Sequence, residues 1–96
     1  MKDLLLVACE EGEIETIKHL VEKIGVDIEI RDNFKCTPLI IASRGGNYEI
    51  VNFLLEKGAN VEVKNYFGFT PLMFASDRGN FETVKLLLDK GANMEK

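Results

Sequence analysis

The chain has 96 residues, a formal net charge of −4 and 46% hydrophobic residues. That describes one small domain with material for a core, able to bury roughly 60–65% of its unfolded surface. It leaves no length for a second domain or a long catalytic loop. The mild acidity, with no basic stripe, argues against nucleic acid as a partner, because phosphates are held by clustered cations.

Acidity is concentrated at the start, where Asp3, Glu10, Glu11, Glu13, Glu15, Glu22, Asp27 and Glu29 face only Lys2, Lys18 and Lys23. Such a surface is either simply solvated or a steering patch for a basic partner. Leu4 to Cys9 is the longest apolar run, bounded by Asp3 and Glu10. It is too short for a membrane span or a typical signal peptide. With no N-x-S/T sequon and no cysteine framework, the expected compartment is the reducing cytoplasm, with the nucleus left open. The run opens a first helix that closes at Gly12. A second helix follows, and its Ile17, Leu20 and Val21 have the three-to-four spacing of a buried stripe.

Residues 25–36 lose that period and read as a short hairpin-like finger, with Lys35 where a turn glycine is expected. Thr37 then suits an N-cap and Pro38 the first helical position, where no N–H is needed. The helix closes near Gly46. Asn47 is placed to cap the next helix, whose stripe is Val51, Leu54 and Leu55 and whose end is Gly58. A second finger occupies residues 59–69, with Gly68 at its turn. Thr70, Pro71, Gly79, Asn80, Val84, Leu87, Leu88 and Gly91 then repeat the whole plan.

The repetition is literal. TPLIIASRGGNYEIVNFLLEKGANVEV from Thr37 lies over TPLMFASDRGNFETVKLLLDKGANMEK from Thr70, 33 residues on. A weaker copy precedes both: Leu5–Gly12 matches Leu39–Gly46 at an offset of 34, and Ile17–Lys23 matches Val51–Lys57 likewise. From Gly25 the offset falls to 33, so Ile24 reads as one inserted residue at a helix end. A fixed period of this length marks a stack in which each unit buries its apolar face against its neighbours. The units run about 1–35, 36–68 and 69–96. The first lacks Thr-Pro and reads as an N-terminal cap. The third reads as ending before a full C-terminal cap.

Catalytic chemistry finds little support. His19 is the one histidine and aligns with Phe53 and Leu86, so it reads as a semi-buried helix residue rather than a general base. Cys9 aligns with Ser43 and Ser76 in a small-residue slot. With Cys36 it forms no CxxC, so neither zinc nor redox chemistry is indicated. No phosphate-cradling glycine loop occurs. The acid pairs Glu10-Glu11 and Glu13/Glu15 read as a solvated face. No cofactor is expected.

The unit resembles the ankyrin repeat, on the TPL triplet, the Ala-Ser pair, the glycine break before Asn47 and Asn80, the V-x-x-LL stripe and the G-A-N closing phrase. The resemblance spans the chain and implies an all-α solenoid of helix-turn-helix units joined by hairpin-like fingers. Some family positions differ. Ile40 and Met73 stand where the family has histidine, so apolar packing should replace the threonine–histidine hydrogen bond at these helix starts. Glu29, Glu62 and Glu95 stand where the family often has the asparagine that is hydroxylated.

The resemblance also implies a non-enzymatic module that binds another protein or peptide through its finger tips and the concave side of its first helices. Carried over by position, the candidates are Asn33, Phe34 and Cys36 in the first finger, Tyr66, Phe67 and Phe69 in the second, and Glu10, Glu11, Arg44, Gly45, Asp77 and Arg78 on the first helices. The finger aromatics are read either as an anchoring ridge or, for Phe34 and Phe67, as rings folded back over the finger. Tyr66 and Phe69, flanked by Arg44 and Arg78, are the preferred anchors. The alternative is architectural: Leu86, Leu87 and Leu88 belong to a unit with no successor, so the chain self-associates, or belongs to a longer array attached to other domains.

Overall fold

The structure, a computed structural model, describes residues 3–92; Met1, Lys2 and the closing Asn93, Met94, Glu95 and Lys96 lie outside them. Among the described residues the chain forms six α-helices and no strand. They are α1 (Leu4–Glu11), α2 (Ile14–His19), α3 (Pro38–Arg44), α4 (Tyr48–Glu56), α5 (Pro71–Asp77) and α6 (Phe81–Asp89). Consecutive pairs form antiparallel units. The first helices α1, α3 and α5 stack as one layer, and α2, α4 and α6 as a second.

Helices of six to nine residues do not hold in water by propensity alone. Packing and caps hold them here. Asp3 accepts from the Leu5 N–H at 2.9 Å. Thr37 Oγ1 accepts from the Ile40 N–H at 3.4 Å, and Thr70 Oγ1 from the Met73 N–H at 3.2 Å. Pro38 and Pro71 follow at the first helical position, as the sequence predicts. Ile40 is fully buried. Asn47 caps α4 through the Ile50 N–H at 3.3 Å. Asn80 departs from the prediction, because its side chain makes no capping bond to α6. Its amide instead sits over Gly46, so close that a Cβ there would meet Asn80 Nδ2 at 2.6 Å.

The inserted residue of the first unit has a clear structural outcome. α2 continues as a π-helix over Leu20–Ile24, and the Gly25 N–H reaches the Leu20 carbonyl at 2.9 Å. One extra residue in a helix is absorbed by a wider turn, which is how π segments arise. The insertion therefore leaves the apolar face of the helix in phase: Ile17 and Leu20 stay buried, while Ile24 is pushed into solvent.

Burial differs sharply between the middle and last units. In α3, six of seven residues are buried. In α5 only Pro71, Leu72 and Ala75 are, and Met73 and Phe74, which align with Ile40 and Ile41, are half-buried. The middle unit is covered on both sides and the last on one. The three leucines of α6 do not share one fate: Leu87 is fully buried, while Leu86 and Leu88 are partly covered. Neighbours on a helix point about 100° apart, so Leu87 faces the core squarely while Leu86 and Leu88 pack at its edges.

Candidate protein-binding surface

Each finger tip is built by one side chain. Asp32 Oδ1 accepts from the Phe34 N–H at 2.8 Å and the Cys36 N–H at 2.9 Å. Asn65 Oδ1 does the same for the Phe67 and Phe69 N–H groups, both at 2.9 Å. A short polar side chain bonding its own backbone two and four residues on closes the loop without a strand ladder. Two backbone bonds complete each tip: Asp32 N to the Cys36 carbonyl and Lys35 N to the Asp32 carbonyl in the first, Asn65 N to the Phe69 carbonyl and Gly68 N to the Asn65 carbonyl in the second. The fingers are thus hairpin-like in closure only. The turn requires a left-handed residue: Gly68 has φ 83° and Lys35 has φ 62°. Lysine there costs on the order of 1 kcal/mol against glycine, through its Cβ.

The two fingers are tied side by side. The Tyr66 N–H donates to the Phe34 carbonyl at 2.7 Å. Arg31 Nη1 donates to the carbonyls of Lys35 and Lys64, both at 2.9 Å. Glu29 Oε2 accepts from the Asn60 N–H at 2.9 Å. The glutamate that replaces the family's asparagine therefore clamps one finger to the next.

This clamping lines up rings. Phe34 stacks on Phe67 with centroids 6.0 Å apart, Tyr66 meets Phe67 edge-on at 5.5 Å, and Phe67 lies 6.4 Å from Phe69. Phe69 meets Phe74 of α5 edge-on at 5.5 Å, and the Arg44 guanidinium sits 5.9 Å from the Phe74 ring centre. The series runs from the first finger tip down to the first-helix layer. Its rings stay in solvent: Tyr66 is 72% exposed, Phe67 61%, Phe34 56% and Phe69 46%. Mutual contact fixes their geometry but removes little of their surface from water. Each ring can still bury a large area against a partner.

Beside the ridge, α1, α3 and the first finger enclose a groove of about 410 Å³. Leu6, Ile41 and Phe34 supply its apolar lining, and Asp3, Glu10, Asp32, Asn33, Arg31 and Arg44 its polar lining. Arg44 Nη2 lies 3.9 Å from Glu10 Oε2, with both side chains about one-third exposed. At that distance and exposure the pair adds little stability. Its consequence is to orient the guanidinium between Glu10 and Phe74.

Of the residues named from sequence, Asn33, Phe34, Tyr66, Phe67, Phe69, Glu10, Glu11, Asp77 and Arg78 are exposed, as is Gly45, and Arg44 is partly so. Cys36 is a correction: it is 1% exposed, packed in the core with its sulfur accepting from Asn65 Nδ2 at 3.6 Å. A small side chain at that position folds under the finger, whereas Phe69, its counterpart, is too large to follow. His19 is a second correction, being exposed on α2. Asp32, Asn65, Arg31 and Phe74 were not singled out in the sequence. Asp32 and Asn65 recur 33 residues apart as different residues of the same chemistry, and that was the available signal.

Cys9 is buried between helices, and its thiol is pushed up to about 12, first by loss of solvation and then by the neighbouring Glu10 charge. It stays protonated at neutral pH and supplies no nucleophile. Among the described residues, no group of three His, Cys, Asp or Glu side chains could hold a metal ion. No helix there is long and apolar enough to cross a membrane.

Stacked helix pairs with clamped fingers define a helical repeat solenoid. The family of ankyrin repeats matches residues 5–96 in three copies, and the chain belongs to it. The chain is 42% identical over 52 residues to BTB/POZ domain-containing protein 3 of Schizosaccharomyces pombe, covering 54% of this chain and 10% of that one. It is 48% identical over 56 residues to a putative ankyrin repeat protein of Fowlpox virus, covering 54% and 16%. Both relatives are far longer than this chain. Among solved structures, one chain of a complex between a predatory endopeptidase from Bdellovibrio bacteriovorus and an immunity protein superposes with a TM-score of 0.88. It is 39% identical, over 96% of this chain and 48% of that one. Ankyrin repeats are generally protein–protein interaction modules and typically non-enzymatic.

Proposed function

We propose that the protein binds a partner protein or peptide across its finger tips and first-helix layer, with Tyr66, Phe67 and Phe69 as anchors and Phe34, Asn33, Arg44, Asp77, Arg78, Glu10 and Glu11 around them. The observation that carries this reading is the exposed ring series from Phe34 to Phe74. Four rings held more than two-fifths in water by a rigid finger pair are preorganised apolar area, and aromatics are enriched where binding energy concentrates. The fold neighbour comes from a two-protein complex, which agrees with an interaction role.

The test is a peptide-display selection on the wild-type chain, followed by titration of the selected peptides against Tyr66→Ala/Phe69→Ala. Affinity is expected to fall at least tenfold, about 1.4 kcal/mol or more, because two anchors are lost. Circular dichroism should show the fold retained, and Phe81→Ala, an exposed ring outside the series, should bind as wild type. Unchanged affinity in a folded double variant removes the assignment.

A second reading rests on the α5–α6 face. A Cβ at Gly12 or Gly46 would meet the following unit's asparagine, whereas one at Gly79 would meet nothing within 4 Å among the described residues. Together with half-buried Met73, Leu86 and Leu88, this forms a docking face for another ankyrin-type surface, a second copy included. Sedimentation equilibrium should then show dimer at rising concentration; a strict monomer at high concentration eliminates self-association.

A further inference from the structure

We infer that the groove between α1, α3 and the first finger receives a basic side chain, arginine or lysine, from an extended segment of the partner protein. This rests on the ridge reading above and adds the chemistry of what the partner presents beside the ridge.

The lining has two parts that one kind of side chain satisfies together. Leu6, Ile41 and the Phe34 ring form an apolar bed, while Asp3 and Asp32 bring carboxylates beside it. An arginine or lysine lays an apolar stem along such a bed and keeps its charged head at a polar edge. The half-exposed Phe34 ring also accepts a cation over its face. An aliphatic side chain would strip water from the carboxylates and replace none of their hydrogen bonds. An acidic one would meet like charge.

The groove's own cations already have partners. Arg31 spends Nη1 on the Lys35 and Lys64 carbonyls, where it holds the fingers together. Arg44 is drawn toward the Phe74 ring and Glu10. Glu10 is taken up by Arg44, but two carboxylates retain capacity: Asp3 and Asp32 each engage backbone N–H through Oδ1, and the second oxygen of each has no donor among the described residues. The acid-rich first unit, of which α1 is one wall, adds a longer-range pull on cations.

The experiment is an NMR titration of the full chain with N-acetyl-argininamide, with N-acetyl-norleucinamide and N-acetyl-glutamate amide as comparators at matched ionic strength. The arginine probe is expected to shift the backbone signals of Leu6, Phe34 and Ile41 saturably, and the comparators to leave them in place. In Asp3→Asn/Asp32→Asn, where asparagine keeps the helix cap and, as Asn65 does, the finger tip, affinity should drop by about fivefold or more, and added salt should weaken the wild type likewise. Absent shifts at the groove, shifts reproduced by norleucinamide, or shifts unaltered in the double variant each overturn the inference. Selected peptides that depend on Tyr66 and Phe69 yet carry no basic residue would overturn it too, while leaving the ridge reading in place.

Discussion

Leu54→Ala is expected to destabilise the protein by about 3–4 kcal/mol, within the usual range for a buried leucine cut to alanine. The equivalent change one unit later, Leu87→Ala, should cost less, about 2–3 kcal/mol. Both leucines are fully buried, so exposure does not separate them. Their surroundings do. Among the described residues, α4 packs against α2, α3 and α6, whereas α6 packs chiefly against α5 and α4. A cavity in the middle unit is held open from both sides, and a cavity in the last unit can partly collapse. In a stack stabilised by nearest-neighbour contacts, weakening the middle unit also removes the coupling of both ends. The thermal midpoint should drop by roughly 15 °C or more for Leu54→Ala, at about 4–8 °C per kcal/mol in a domain of this size. Equal losses in denaturant melts of the two variants would mean that the stack relaxes uniformly, against the two-sided packing described.

Most of the fold was legible because the core residues repeat. Val51, Leu54 and Leu55 and their copies name the stripe, and the shift of offset at Ile24 located the extra residue, though not the π turns that absorb it. What identity between copies could not convey was phase and size. Cys36 and Phe69 hold the same position, yet the small sulfur side chain goes under the finger and the ring stays outside. Leu86, Leu87 and Leu88 read as one patch in sequence, but the helix sends them in different directions. Phe74 aligns with buried Ile41 and so reads as core; it emerges half-buried in the ring series, its far side uncovered by any helix among the described residues. Asp32 and Asn65 were hidden by the opposite effect, since different residue names carry the same acceptor oxygen. The aromatic fingers, by contrast, were visible at once, as large rings at exposed positions that the repeat does not require.

The second large effect is expected at the seam between units, from Gly46→Ala. Gly46 and Gly79 share φ 71°, so alanine at either carries the same left-handed strain, about 1–2 kcal/mol. Only at Gly46 does the added methyl meet an obstacle: Asn80 Nδ2 at 2.6 Å and its Cγ and Oδ1 at 3.0 Å. The Cγ is not the free end of a flexible chain, so the amide group as a whole must turn, adding about 1–2 kcal/mol of overpacking. Gly46→Ala should therefore cost about 3 kcal/mol in total and Gly79→Ala only the strain that both share. Adding Asn80→Gly to Gly46→Ala should recover most of the excess, a coupling that a double-mutant cycle reads directly. Asn80 has one escape. It makes no capping bond at present, so rotation toward the start of α6 would both clear the methyl and gain a cap. If the two glycine variants melt together, that escape is open and the amide does not set the spacing of the second and third units. If they differ, Asn80 over Gly46 fixes how Phe74 stands to Phe69, and the seam holds the inner end of the ring series in place.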